Sequence, residues 1–214
     1  MKIKKFRFNT LLSILFTLLI SINTVHAGIL FEPLVGYALN GQVSQKFIEG
    51  GTTYKFTYTG IGYGFRFGYS GVGFMGGLQA DMINEEWKGK EPLATGINDE
   101  KSKFNGLNLG LFIGYHLPSI LRFWGTFYAY DKYTKTDDVG AYSKDDYLLG
   151  MGYSLGIGVA PIPILSINVE YRNFMLDKIY IKADSKLYKL DKGRDVSKSE
   201  IFVSVSFPLG LSSK

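Results

Sequence analysis

Residues 148–160 alternate strictly. Leu149, Met151, Tyr153, Leu155, Ile157 and Val159 stand at every second position, with Gly150, Gly152, Ser154, Gly156 and Gly158 between them. Period two is the repeat of a β-strand, whose side chains point to opposite faces in turn. A half-buried strand of a soluble protein sets apolar residues against charged ones. Here the second face is nearly bare of side chains. That combination suits the wall of a narrow barrel in lipid, with the oily face toward acyl chains and the small face leaving room inside.

Seven further segments carry the same period, so the pattern predicts eight strands: 31–39, 58–69, 72–82, 104–115, 121–133, 146–160, 164–175 and 200–209. In the second, Ile61, Tyr63, Phe65, Phe67 and Tyr69 oppose Gly60, Gly62, Gly64, Arg66 and Gly68. The fourth sets Leu107, Leu109, Leu111, Ile113 and Tyr115 against Gly106, Asn108, Gly110 and Gly114. The fifth is the least regular, and placing Phe123 and Phe127 outward turns Arg122, Trp124, Tyr128 and Tyr130 inward. The connections alternate in length. Those after strands two, four and six are short, whereas 40–57, 83–103, 134–145 and 177–199 are long and polar. An up-and-down barrel would gather the short turns at one end and the long loops at the other, the asymmetry of outer-membrane barrels.

The start of the chain fits that setting. Lys2, Lys4, Lys5 and Arg7 precede an apolar run at 11–22, and Val25-His26-Ala27 offers small residues for cleavage. This is the three-part pattern of a secretory signal peptide, predicted to span 1–27 and to leave a single domain at 28–214. Four of the 24 basic residues and none of the 19 acidic ones lie in that segment, so the mature chain is nearly neutral. A basic overall balance therefore gives no argument for nucleic-acid binding, and no phosphate-cradling or RNA-binding motif is present. With no cysteine, the fold rests on strand pairing and packing alone.

Two local features extend the pattern into a resemblance. Val169-Glu170-Tyr171-Arg172 looks like a charged, aromatic penultimate strand, and Ile201-Phe202-Val203-Ser204-Val205-Ser206-Phe207 looks like an alternating final strand. Over 28–214 the chain resembles the small eight-stranded outer-membrane β-barrel proteins of Gram-negative bacteria, the OmpA/OmpX/OmpW-like group. It departs from many of them in continuing past Phe207 rather than ending on an aromatic residue. The resemblance implies an all-β antiparallel up-and-down transmembrane barrel in the cell outer membrane, inserted by the barrel-assembly machinery. Its role would be structural or surface-directed, with at most limited passage of small solutes. The rival class is a soluble exported barrel, lipocalin-like, which would turn its oily stripe inward around an apolar ligand.

Glu32, Arg66, Arg122, Glu170 and Arg172 fall on the predicted inward face. A lipid-facing Arg or Lys near the midplane costs about 2–4 kcal/mol, whereas inward charges can pair. Such a network would act as a selectivity gate or as a salt-bridge plug, and a lumen this narrow favours the plug. Aromatic residues such as Tyr37, Tyr58, Tyr69, Phe104, Tyr115, Tyr171 and Phe207 are expected in interfacial girdles. The last long loop, 178–198, has seven basic and three acidic residues. Lys182, Lys186, Lys189, Lys192 and Arg194 would there meet the phosphates of lipopolysaccharide or simply keep the loop solvated. After the signal segment, His116 is the one histidine, and it lies in a predicted short turn with Ser119. No enzyme, cofactor or zinc site is expected. Glu85-Glu86 and Asp137-Asp138 are carboxylate pairs that would suit either calcium or solvent.

Overall fold

The computed structural model describes residues 28–46, 53–71, 73–89, 100–117, 120–138, 143–190 and 196–211. The predicted signal segment, 1–27, lies outside them, as do the tips of the long loops. The strands are β1 (Gly28–Lys46), β2 (Thr53–Gly71), β3 (Phe74–Gly89), β4 (Glu100–His116), β5 (Leu121–Lys135), β6 (Tyr147–Ile162), β7 (Leu165–Ile181), β8 (Lys186–Lys189), β9 (Val196–Ser206) and β10 (Leu209–Leu211). Each long strand pairs antiparallel with the next, and β9 pairs with both β7 and β1. The eight long strands β1–β7 and β9 therefore form a closed barrel, which leaves no open sheet edge between them. The short β8 folds back on the end of β7, and β10 continues the last strand beside Ile29.

The outward face is apolar over one band. On β2 it runs through residues 61–69 and on β4 through 107–115, matching the ~9–11 residues that a tilted strand needs to cross a bilayer. Leu155 is 63 % exposed and Ile113 is 68 % exposed. Aromatic rings gather at the short-turn end, where Phe74 and Tyr115 pack edge to face at 5.0 Å. Inside, charged and aromatic groups fill the lumen. This is the reverse of a lipocalin, whose oily surface faces the ligand, and it favours the membrane barrel over the soluble one.

Small residues on the inner face make room for large ones. A Cβ at Gly156 would collide with the Trp124 indole, and one at Gly36 would come within 2.6 Å of the Phe202 ring. The sparse second stripe of the sequence is thus the space that neighbouring strands fill.

Three expectations need correction. The strands outrun their predicted limits at the long-loop end. Pairing between β1 and β2 continues to Lys46 and Thr53, and that between β3 and β4 to Gly89 and Glu100. Beyond the apolar band the outward positions become polar, so the oily stripe that marks a strand in the sequence is lost. Tyr58 and Phe104 are buried in the lumen rather than placed in a girdle. Tyr130 faces outward, because a bulge between Tyr128 and Asp131 shifts the register and turns Asp131 inward. The third strand begins at Phe74, and Val72 lies outside the described residues.

Candidate functional site: a charged ladder in the lumen

Inward positions on β1, β2, β3, β5, β7 and β9 converge on one axis. At the short-turn end, Arg122 on β5 pairs with Glu32 on β1. Arg66 on β2 contacts the same Glu32 at 3.2 Å and reaches Glu170 on β7 at 2.7 Å. Glu170 is also 3.3 Å from Arg172, two residues along its own strand. Arg172 continues the chain to Asp81 at 3.5 Å and to Glu200 on β9 at 3.6 Å. Lys198 then lies 3.1 Å from Glu200 and 2.8 Å from Glu85 on β3. Charge alternates at every step from Arg122 to Glu85, so each ion has an opposite neighbour above or below it. That arrangement offsets the desolvation penalty an isolated buried ion would carry.

Neutral groups brace the ladder. Arg66 donates to Gln79 at 3.0 Å, and Gln79 donates to Asp81 at 2.8 Å. Tyr128 donates to the same Asp81 oxygen at 3.0 Å. Aromatic faces cover the cations. The Arg66 guanidinium sits 4.3 Å from the Trp124 ring, and that of Arg172 sits 3.7 Å from Phe202. The Lys198 ammonium lies in a cage formed by Tyr58 at 4.3 Å, Tyr133 at 4.6 Å and Phe174 at 4.7 Å. Cations held over ring faces gain most where water is excluded. Above the cage, toward the long loops, Val43, Trp87, Phe104, Leu148, Leu176 and Val196 close the section with apolar packing. Trp87 stacks on Phe104 at 4.1 Å and donates to Glu85 at 2.7 Å.

The five charges predicted to face inward are therefore neighbours in one chain of contacts. The upper half of the ladder is not among the expected charges: Asp81 stands on the third predicted strand, and Glu85 and Lys198 fall in segments whose pattern predicts loops. The signal was available in the phase of the alternation. Glu85 continues the inward series of Gln79, Asp81 and Ile83, and Lys198 precedes Glu200, Phe202 and Ser204 at steps of two. Asp131 was hidden by the bulge. It is fully buried with both carboxylate oxygens lacking a hydrogen-bond partner.

The other candidates are dispersed. Glu85 and Glu86 point to opposite faces of β3, so they do not form one cation site. Asp137 instead takes Lys135 at 2.6 Å, and Asp138 accepts from the backbone of Lys144. Lys182 pairs with Asp145 at 2.6 Å. That hydrogen bond draws the Asp145 carboxyl below its ordinary range and raises the Lys182 ammonium. Lys186 and Lys189 are exposed on β8, while Lys192, Arg194 and Ser119 lie outside the described residues. His116 is partly buried at the short-turn end and faces Arg122 across the β4–β5 pair.

An apolar exterior around a charged, packed interior, closed by eight antiparallel strands, defines the class of small transmembrane β-barrels. Solved structures similar in fold include Neisserial surface protein A, at 12 % identity over 85 % of this chain and 99 % of that one, with TM-score 0.48. The attachment invasion locus protein Ail of Yersinia pestis, bound to a heparin analogue, is 13 % identical over 85 % of this chain and 99 % of that one, with TM-score 0.49. The outer membrane protein OprG of Pseudomonas aeruginosa is 14 % identical over 87 % and 98 %, with TM-score 0.49. No protein-family model matches the chain, and no curated protein matches it.

Proposed function

We propose that this protein is an integral outer-membrane barrel with a sealed lumen, acting as a structural and surface-directed element rather than as a pore. In this reading residues 1–27 are removed on export, the short turns face the periplasm, and the extended strands with the β7–β8 hairpin stand outside the lipid. Lipopolysaccharide and the barrel-assembly machinery are the partners that such a location implies. The observation that carries the reading is the continuous ladder from Arg122 to Glu85, capped by the packed Trp87 and Phe104. A solute crossing the barrel would have to break successive buried ion pairs. We read the protein as a non-enzyme, since its one mature histidine, His116, sits inside the short-turn end of the lumen beside Arg122 and not at an exposed reaction site.

Refolded protein in a planar bilayer tests the reading. Wild type is expected to show no steady conductance, and Glu170→Ala is expected to introduce discrete openings. A large steady conductance in wild type, left unchanged by Glu170→Ala, would replace the plug with a true pore.

A further inference from the structure

The outward surface carries a group of lysines on β2–β4 where the apolar band ends. Going toward the long loops, Met82 gives way to Asn84, Glu86 and Lys88 on β3, and Leu107 to Asn105, Lys103 and Lys101 on β4. The neighbouring β2 passes from Ile61 to Thr59, Thr57 and Lys55. On β1 and β9 the matching outward positions are uncharged, with Ser44, Ser197 and Ser199, whereas β5 and β7 present Lys132 and Lys178 singly.

Register places Lys88 directly opposite Lys101, and Glu86 opposite Lys103. Like charges facing each other across a strand pair are destabilising unless an anion lies between them. Glu86 supplies part of that neutralisation, at 3.3 Å from Lys88 and 3.9 Å from Lys101. Asp137 accepts from the Lys103 backbone at 2.9 Å but is paired with Lys135, so Lys55, Lys88, Lys101 and Lys103 still outnumber the acids beside them. Two surface depressions adjoin Glu86. One, of about 540 Å³, is bordered by Thr57, Thr59 and Lys88. The other, of about 390 Å³, runs from Lys103 and Asn105 down to Tyr37 and Ile61 on the apolar band.

We propose that this β2–β4 wall is a binding site for the phosphate groups of an anionic lipid in the outward leaflet. Lys88, Lys101 and Lys103 contact the phosphates, the polar depressions take the headgroup, and the acyl chains run down past Tyr37 and Ile61. The lipid is favoured over a soluble anion because the second depression opens onto the lipid-facing band. The wall is distinct from the basic loop at 178–198, where Lys182 is already paired with Asp145. The proposal rests on the transmembrane reading above.

Native mass spectrometry of the refolded full chain, mixed with bisphosphorylated lipid A or with phosphatidylcholine, tests it. Each lysine near an anionic headgroup contributes roughly fivefold in affinity. K88Q/K101Q/K103Q is therefore expected to lose lipid A retention by about a hundredfold, with phosphatidylcholine retention unchanged. K182Q/K186Q/K189Q is expected to stay close to wild type, Glu86→Gln to retain more lipid A, and excess inorganic phosphate not to displace the lipid. Unchanged lipid A retention by the wall triple variant, with its heat-modifiable gel shift intact, would overturn the proposal. So would a greater loss in the hairpin triple variant. Failure of wild type to insert into phosphatidylcholine vesicles would instead overturn the transmembrane reading.

Discussion

Arg66 Nη2 and Glu170 Oε1 lie 2.7 Å apart, although their residues are 104 positions apart in the chain and belong to β2 and β7, on non-adjacent strands of the barrel. This contact spans the lumen, and it joins the Arg122–Glu32 end of the ladder to the Arg172–Glu200 end. Glu170 serves two cations at once, since Arg172 also donates to it at 3.3 Å.

Glu170→Ala removes one acid from each of two buried guanidinium groups, leaving Arg66 with Glu32 and Arg172 with Asp81 and Glu200. Breaking a buried pair from one side costs about 3–5 kcal/mol, and the lower part of that range applies when each partner keeps another acid. The unfolding midpoint in denaturant, followed by the gel shift, is expected to fall clearly below that of wild type. A midpoint equal to wild type would mean that the ladder contributes nothing to stability.

Lys198 presents the complementary case. Lys198→Met keeps the length of the side chain in its aromatic cage but leaves Glu85 and Glu200 without their shared cation. The single variant is expected to be strongly destabilised, and Glu85→Gln added to it is expected to recover part of the loss. Coupled groups of this kind depart from additivity by about 0.5–3 kcal/mol. Strict additivity in the double-mutant cycle would show that the cage, and not the ion pairs, holds Lys198.

Inside and outside are separated by one residue on β6. Leu155 is 63 % exposed to the surroundings, whereas Ser154 is 1 % exposed and faces the lumen. Leu155→Arg places a cation against lipid at a cost of about 2–4 kcal/mol near the midplane. Its yield of inserted, heat-modifiable barrel is expected to drop sharply, while Ser154→Ala inserts as wild type does. Equal yields would reverse the assignment of the two faces.

Two glycines on adjoining strands give opposite expectations. A Cβ at Gly156 would run into the Trp124 indole, while one at Gly125 would meet Leu155 at 3.5 Å, an ordinary contact. Gly156→Ala is therefore expected to cost about 1–3 kcal/mol by overpacking the lumen. Gly125→Ala is expected to be neutral, or to stabilise by up to about 1 kcal/mol through the unfolded chain. Denaturant midpoints of the two variants decide it, and a larger loss at Gly125 would contradict the packing.

Period-two alternation and the rhythm of short and long connections were enough to determine the strand count, the barrel and which side chains face in. These are local properties: a side chain's face follows from its phase, and an apolar stripe beside a stripe of glycine has one stable use in lipid. That is why Glu32, Arg66, Arg122, Glu170 and Arg172 could be placed inward from the chain alone. What failed were the points where phase is interrupted or the outward stripe turns polar. The bulge at Tyr128–Asp131 exchanged the sides of Tyr130 and Asp131, and above the lipid band the outward neighbours of Glu85 and Lys198 are polar, so no oily stripe marks those segments as strand. Only the tertiary structure decided which charge meets which. Pairing across the lumen depends on strand tilt, stagger and closure between β9 and β1, and these bring Arg66 to Glu170 across a distance in sequence that no local pattern encodes.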